Sequence, residues 1–274
     1  MSVPTGRVVV AGVAAGALSG LFGIGGGIVM VPLFVLWLGL PQKTAITTSL
    51  LAIIPISVAA IAGYAVGDAV AWQVGLIIGV GSVVGGQVGV RLLPIIPVPY
   101  LQVAFAVLLL YSAFRLVQPD STAAGAQDIA GWPILVGVGV VAGLVAALLG
   151  VGGGIIVVPA LVLLAGADLT TARGTSLLVV LLTAVTASVS NWRTGSLDLR
   201  IGWVTGLAGV PASLAAALIA QSIPQRAAAV LFAVLMVVAA LQLLRKAWLG
   251  RGTPDDDPSA GPRGDRHPYT PGAP

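Results

Sequence analysis

The sequence predicts an all-α polytopic membrane protein with about eight membrane segments, and three observations support this fold class. Hydrophobic residues make up 58% of the chain and charged residues 8%, whereas a soluble domain carries about 25% charged residues. The hydrophobic residues are grouped in long runs, and one glycine-rich pattern occurs twice. We therefore expect a protein embedded in the lipid bilayer and built from two homologous halves.

Eight apolar runs have lengths suited to a bilayer, which requires about 20 apolar residues per crossing helix. Six of these runs fit one crossing each, while the first and the fifth are longer and contain the glycine-rich pattern. Each half is thus expected to open with a Gly-broken helix or a re-entrant hairpin. The runs cover residues 8–40, 44–66, 70–93, 100–117, 132–165, 171–192, 199–220 and 226–248.

The two halves are related by a constant spacing. Residues 20–32 read GLFGIGGGIVMVP, and residues 147–159 read ALLGVGGGIIVVP. Gly23 corresponds to Gly150, a spacing of 150 − 23 = 127 residues, and later segments keep this spacing. Internal duplication of this kind is common in secondary transporters, whose substrate sites lie between the halves.

The repeat and the composition divide the chain into four parts. The connecting segment is polar and rich in small residues, and the C-terminal segment has few apolar residues and is expected to be disordered. The parts are a first transmembrane repeat over 1–117, a linker over 118–131, a second transmembrane repeat over 132–249 and a polar tail over 250–274.

The relative direction of the halves depends on the two interrupted runs. If each run crosses once, the repeats are parallel; if each folds back as a hairpin, they are inverted. The positive-inside rule slightly favours the hairpin, with seven cationic residues on the N-terminal side against three, and both schemes place the two termini in the cytoplasm. The seven are Arg7, Lys43, Arg91, Arg193, Arg200, Arg245 and Lys246, and the three are Arg115, Arg173 and Arg226.

The glycine triplets within the interrupted runs are the first candidate binding site. Broken backbone in hydrocarbon is tolerated only where protein or a polar cavity surrounds it. A helix that restarts after such a break has unpaired amides and partial positive charge, so two such ends could converge on one anion. Tight helix packing is the alternative, which we prefer for other pairs such as Gly81 and Gly85. The triplets are Gly25, Gly26 and Gly27, and Gly152, Gly153 and Gly154.

Two hydroxyl groups in each half, early in the helix that follows the interrupted run, form the second candidate set. Thr48 and Ser49 in the first half correspond to Thr175 and Ser176 in the second. Such hydroxyls can donate hydrogen bonds to the oxygens of an anion. Bonding to a carbonyl in the preceding turn, or helix capping, is the alternative role.

Ionisable residues are nearly absent from the interior of the apolar runs. Arg91 and Arg173 lie near run ends, where snorkelling to the interface is the expected role, although either could draw anions to a vestibule. The chain has no cysteine and one histidine, His267 in the tail. We therefore predict no metal site, no cofactor and no enzymatic activity, and we attribute the net charge of +4 to membrane orientation rather than to nucleic acid.

The motif G-x-x-S-G-x-x-G-x-G-G-G-x-x-x-V-P over residues 16–32 resembles the signature of the sulfite exporter TauE/SafE family of permeases. The second copy, ending at Pro159, has Ala146 where the first has Ser19, and the T-S-L-L segment beginning at Thr48 and again at Thr175 is also similar to that family. The resemblance implies a bacterial inner-membrane protein, often with eight spans, that moves sulfur-containing anions.

The expected function is that of a secondary transporter, or permease, for small sulfur oxyanions such as sulfite or organosulfonates. Export is the expected direction, with the anion bound at the paired glycine-rich breaks between the halves. The partners are the anionic substrate and the lipid bilayer. An anion or solute channel and a membrane accessory subunit without transport of its own remain as alternatives; the particular anion, the coupling ion and the oligomeric state are not encoded in a recognisable pattern.

Overall fold

The computed structural model contains only helices and their connections in the part of the chain that it describes. The all-α polytopic fold is therefore confirmed, while the predicted domain boundaries stay a prediction. The predicted tail and all but the end residues of the predicted linker lie outside the described residues. The described ranges are 4–92, 98–118, 131–149, 153–192 and 197–249.

Ten helices account for the described ranges, and five of them are each long and apolar enough to cross a membrane. The five are α1, α3, α8, α9 and α10. The bounds are α1 Thr5–Phe22, α2 Gly27–Leu38, α3 Gln42–Ala65, α4 Trp72–Leu92, α5 Val98–Val117, α6 Trp132–Leu149, α7 Gly154–Leu164, α8 Leu169–Trp192, α9 Leu199–Ser222 and α10 Gln225–Leu249.

The first interrupted run folds back on itself as a hairpin of α1 and α2. The Arg7 guanidinium at the start of α1 donates a hydrogen bond to the carbonyl of Trp37 at the end of α2, with an Nη1–O distance of 3.2 Å. In one continuous helix these residues would lie about 45 Å apart, at 1.5 Å per residue. The chain therefore reverses direction at the glycine-rich break.

The second interrupted run reverses in the same way, and α2 and α7 begin 154 − 27 = 127 residues apart. Gly153 lies beside Ala142 and Ala146 of α6, close enough that a Cβ on Gly153 would sit 3.1 Å from the Ala142 carbonyl oxygen. The corresponding helices α3 and α8 run antiparallel, because Gly174 near the start of α8 packs on Tyr64 at the end of α3 and on Ala69 just after it. These directions favour inverted over parallel repeats.

Two seams of small residues hold helices of the two halves together. Helix α1 packs against α9, and α6 packs against α4, each with backbone touching backbone. A side chain on any of these glycines would overlap a carbonyl group of the opposite helix, so they serve close packing. This agrees with the packing role predicted for Gly81 and Gly85. The facing pairs are Gly12 with Thr205, Gly16 with Gly209, Gly20 with Ser213, Gly81 with Val136, Gly85 with Val140, Gly139 with Ile78 and Gly143 with Ser82.

The substitution Gly16→Ala should destabilise the protein, because the added methyl group would overlap the carbonyl of Gly209 in α9. Overpacking of this kind costs about 1–3 kcal/mol. Gly137→Ala is the matched control, since Gly137 is also inside a helix but faces open space, and alanine there should be neutral or slightly stabilising. Thermal unfolding in detergent measures both variants; equal melting temperatures would contradict the close approach of α1 and α9.

Candidate functional site

The first glycine-rich break is short and consists of backbone that only glycine adopts readily. Helix α1 ends at Gly23, whose φ of 71° is left-handed, and Gly25 and Gly26 follow with φ of 80° and 74°. A residue with a Cβ pays about 1–2 kcal/mol for that conformation. Gly26 and the equivalent Gly153, with φ of 77°, are the N-cap residues of α2 and α7.

The two breaks meet inside the protein. Gly154, the first residue of α7, packs on the first break so closely that a Cβ would lie 2.8 Å from the Cα of Ile24 and 2.9 Å from the carbonyl oxygen of Gly23. Ile24 is fully buried. Gly154 of the second triplet thus contacts the two residues that precede the first triplet, and Gly154 and Gly25 both lie against Val180. Gly152 lies outside the described residues.

The middle of α3 and α8 encloses this junction. A Cβ on Gly25 would contact Val180 of α8 at 2.5 Å and Ile53 of α3 at 3.4 Å, and both side chains are fully buried. The Ser176 hydroxyl lies within hydrogen-bonding distance of the carbonyls of Gly23 and Arg173, and its single proton serves one of them at a time. Ser176 therefore contacts the break directly, and its role as a substrate ligand stays a prediction.

The restarting helices present amides at this junction. Neither Gly26 nor Gly153 supplies a side chain to cap its helix. The carbonyl of Gly26 accepts from the amides of Val29 and Met30, and that of Gly153 accepts from the amides of Ile156 and Val157. The amides at residues 27–28 and 154–155 come before the first donors of the helical hydrogen bonds in α2 and α7. They lie at the positive end of each helix dipole.

Two of the predicted threonines link the halves to each other. Thr48 Oγ1 accepts a hydrogen bond from the amide of Asp198 at 3.1 Å, just before α9. Thr175 Oγ1 accepts one from the amide of Ala71 at 2.9 Å, just before α4. The two hydrogen bonds correspond to each other in the repeat, because the donors Ala71 and Asp198 are 198 − 71 = 127 residues apart. These side chains hold the starts of α4 and α9, and their role as substrate ligands stays a prediction.

Ser49, the fourth predicted hydroxyl, bonds within its own helix. Its Oγ donates to the carbonyl of Ile46 at 2.8 Å, which is the local role weighed against substrate binding. The serine of the second half, Ser176, reaches across to Gly23 instead. The two half-sites are therefore not equivalent in their polar contacts.

Sequence reasoning misjudged Arg173, for which snorkelling to the interface was wrong. The side chain is 2% exposed and points into the protein. Its Nη2 donates to the carbonyl of Ala228 in α10 at 2.9 Å, and the guanidinium lies 5.7 Å from the centre of the Phe232 ring. Its Nε has no hydrogen-bond partner. The sequence feature that could have singled out Arg173 was the repeat, because the equivalent residue of the first half is the apolar Ile46.

The surroundings of Arg173 are uncharged. The Tyr64 hydroxyl lies close to the guanidinium and donates to the carbonyl of Gly20 at 2.8 Å. Phe22, the residue before the first break, packs on Phe232 with ring centres 6.1 Å apart. Within the described ranges no carboxylate pairs with Arg173, and no group of residues there has the composition of a metal site.

Comparison with known proteins identifies the family. The family model described as Sulfite exporter TauE/SafE matches residues 2–116 and 135–273. The chain belongs to the TauE/SafE family. It is 30% identical over 229 residues to the probable membrane transporter protein YunE of Bacillus subtilis, covering 74% of this chain and 82% of that protein.

A second relative of this TauE/SafE protein is a probable membrane transporter protein of Xylella fastidiosa. The identity is 39% over 77 residues, which cover 28% of this chain and 30% of that protein. No solved structure matches the chain significantly. Together the family and its relatives establish a multi-pass membrane transporter, in agreement with the predicted family and transport role.

Thr175→Val should lower stability, because the partly buried amide of Ala71 loses its acceptor. An orphaned buried donor costs about 1–3 kcal/mol. Thr186→Val is the matched control, since the Thr186 hydroxyl bonds only within its own helix, to the carbonyls of Leu182 and Thr183. Melting temperatures in detergent should fall for the first variant and stay nearly constant for the second. Loss of transport by Thr175→Val at unchanged stability would instead identify a substrate ligand.

Proposed function

We propose that this protein is a secondary transporter that exports small sulfur oxyanions, such as sulfite or organosulfonates. The observation that carries the proposal is the meeting of the two glycine-rich breaks. Gly154 of the second break packs on Gly23 and Ile24 of the first, inside the protein. Backbone amides at a helix start are suited to an oxyanion, because they supply both hydrogen bonds and positive potential.

The composition of the junction also suits an anion better than a cation. Carboxylates are the side chains that proteins most often use to bind cations. In the described ranges no carboxylate pairs with Arg173, the one arginine that is buried there. The nearby groups able to donate hydrogen bonds to an anion are the first amides of α2 and α7 and the Arg173 guanidinium. The family name supports sulfite or a related sulfur oxyanion as the cargo.

A carrier fits the junction better than an open channel. Gly25 is enclosed by the buried apolar side chains of Ile53 and Val180, which would have to move for an anion to pass this point. Movement of an anion past it requires α3, α8 and the breaks to shift. Transport would then proceed by alternating exposure of the site to the two sides, as in other transporters built from inverted repeats.

The proposed location is the bacterial inner membrane, with both termini in the cytoplasm. The hairpin of α1 and α2 returns the chain to its starting side. With that reversal, the lysine and arginine distribution of seven against three supports a cytoplasmic N-terminal side. Export would therefore run from the end of the bundle that contains the N-terminus to the end where α8 begins.

Gly26→Ala should abolish transport while the protein still folds. A methyl group at Gly26 meets the carbonyl oxygen of Ala15 at 2.7 Å and adds the strain of a left-handed residue. Gly39→Ala is the matched control, because Gly39 has a similar φ of 66° but faces open space. Uptake of labelled sulfite or methanesulfonate into proteoliposomes preloaded with the same anion measures transport.

Size-exclusion profiles in detergent check that both variants fold. We expect at least a tenfold loss of exchange for Gly26→Ala and nearly native exchange for Gly39→Ala. Flux that rises linearly with anion concentration, without saturation or exchange, would favour a channel. No flux of any sulfur oxyanion by the reconstituted native protein would contradict the proposed function and favour an accessory subunit.

A further inference from the structure

Arg173 is a buried cation, and the described residues around it provide hydrogen bonds but no negative charge. One nitrogen bonds to the carbonyl of Ala228, the Phe232 ring lies beside the guanidinium, and Tyr64 is close to it. The Nε atom is buried without a partner. Proteins rarely bury a charge inside a membrane segment unless it pairs with another group or serves transport. An anion would supply both the missing negative charge and an acceptor for Nε.

The fold does not require an arginine at this position. The repeat places Ile46 at the equivalent point of the first half, since 173 − 46 = 127, and the two helices α3 and α8 have the same length of 24 residues. An apolar side chain is therefore compatible with this part of the helix. The arginine therefore occurs in the second half only and breaks the correspondence between the two halves.

Arg173 also belongs to the junction of the breaks. A Cβ on Gly23 would lie 2.7 Å from the Cα and from the carbonyl oxygen of Arg173. Ser176 contacts the carbonyls of both Gly23 and Arg173. Because Gly154 packs on Gly23 from the other side, the arginine and the first turn of α7 approach the same residue.

We propose that Arg173 is the counter-charge of the transported oxyanion and that the anion-binding site is one-sided. The free Nε edge of the guanidinium is the group that accepts an oxyanion side-on, with one oxygen on Nε and a second on a terminal nitrogen. In the present conformation, the carbonyl of Ala228 occupies Nη2. Binding of the anion would replace this bond, so the contact between α8 and α10 loosens when the site is loaded.

The inference rests on the proposed transport of sulfur oxyanions and makes the site asymmetric. The second half supplies the full charge on Arg173, while the first half supplies its break, to which Ser176 is joined through the carbonyl of Gly23. Anions with at least two oxygens on one face, such as sulfite and sulfonates, match the guanidinium edge. A spherical halide offers this edge a single acceptor atom in place of two separate oxygens, so halides should bind more weakly.

The test compares Arg173→Gln, Arg173→Ile and Arg173→Lys in the full-length protein. Arg226→Gln is the matched control, because Arg226 is an exposed arginine only two residues before Ala228 on α10. The first readout is the rise in melting temperature produced by sulfite or methanesulfonate in detergent. The second is the KM and the maximal rate of anion exchange in proteoliposomes.

We expect Arg173→Gln and Arg173→Ile to unfold near the native temperature without anion, to lose the anion-dependent rise and to raise KM at least tenfold. Lysine should restore part of the affinity, since it keeps the charge but lacks the planar fork. Arg226→Gln should behave as the native protein. A purely structural arginine would instead lower the melting temperature without anion and leave KM unchanged, and lysine would not rescue it.

The outcomes separate this inference from the proposed function. If the native protein exchanges sulfite and the Arg173 variants keep its KM within twofold, transport stands and the role of Arg173 is wrong. If the glutamine and isoleucine variants fail to fold, the lysine variant decides. A native KM for Arg173→Lys overturns side-on binding of the anion by the guanidinium, and a KM raised at least fivefold supports that binding. If the native protein exchanges no sulfur oxyanion, both proposals fail together.

Discussion

The structure depends on one constraint, namely that peptide groups buried away from water must have hydrogen-bond partners. An unbroken helix meets that requirement by itself, but the breaks before α2 and α7 do not. Here the fold surrounds the breaks with protein: Gly154 packs on Gly23, and Ile53 and Val180 enclose Gly25. The cost of the interruption is offset by packing, and the amides that remain give the interior a local positive potential.

The position of the breaks is set by helices of the opposite half. The seam between α1 and α9 and the seam between α4 and α6 bring backbones together, and the threonine contacts tie α3 to Asp198 and α8 to Ala71. Each break also contacts residues of the opposite half directly: Ser176 lies on Gly23, 153 residues away in the chain, and Gly154 packs on Gly23 and Ile24. A relative movement of the halves necessarily alters the junction, which couples the site to the conformation of the whole bundle.

Much of this arrangement could be predicted from the sequence, because glycine and apolar length act locally. The triplet glycines identified both breaks, and the 127-residue spacing located corresponding helices. The hairpin was one of two open alternatives, since the length of the run 8–40 allowed either, and the contact of Arg7 with Trp37 favours it. Arg173 escaped because an arginine near a run end has the same local sequence whether it faces lipid headgroups or Phe232.

The partners of the hydroxyl groups were equally out of reach of sequence reasoning. Thr48 and Thr175 occupy corresponding helix positions that suit a ligand, a cap or a tie between helices, and only the chain from the opposite half determines which. Ser49 and Ser176 are related by the repeat, yet one bonds within its helix and the other reaches Gly23. The repeat thus predicts equivalent backbone more reliably than equivalent chemistry.

The most direct test is a crystal structure with a selenium analogue of the substrate, selenite or methaneselenonate, located by its anomalous signal. We expect one strong peak within hydrogen-bonding distance of the amides at residues 154–155 or 27–28, between the two breaks. A specific peak elsewhere in the protein, with both breaks unchanged and in contact only with each other, would contradict the central claim.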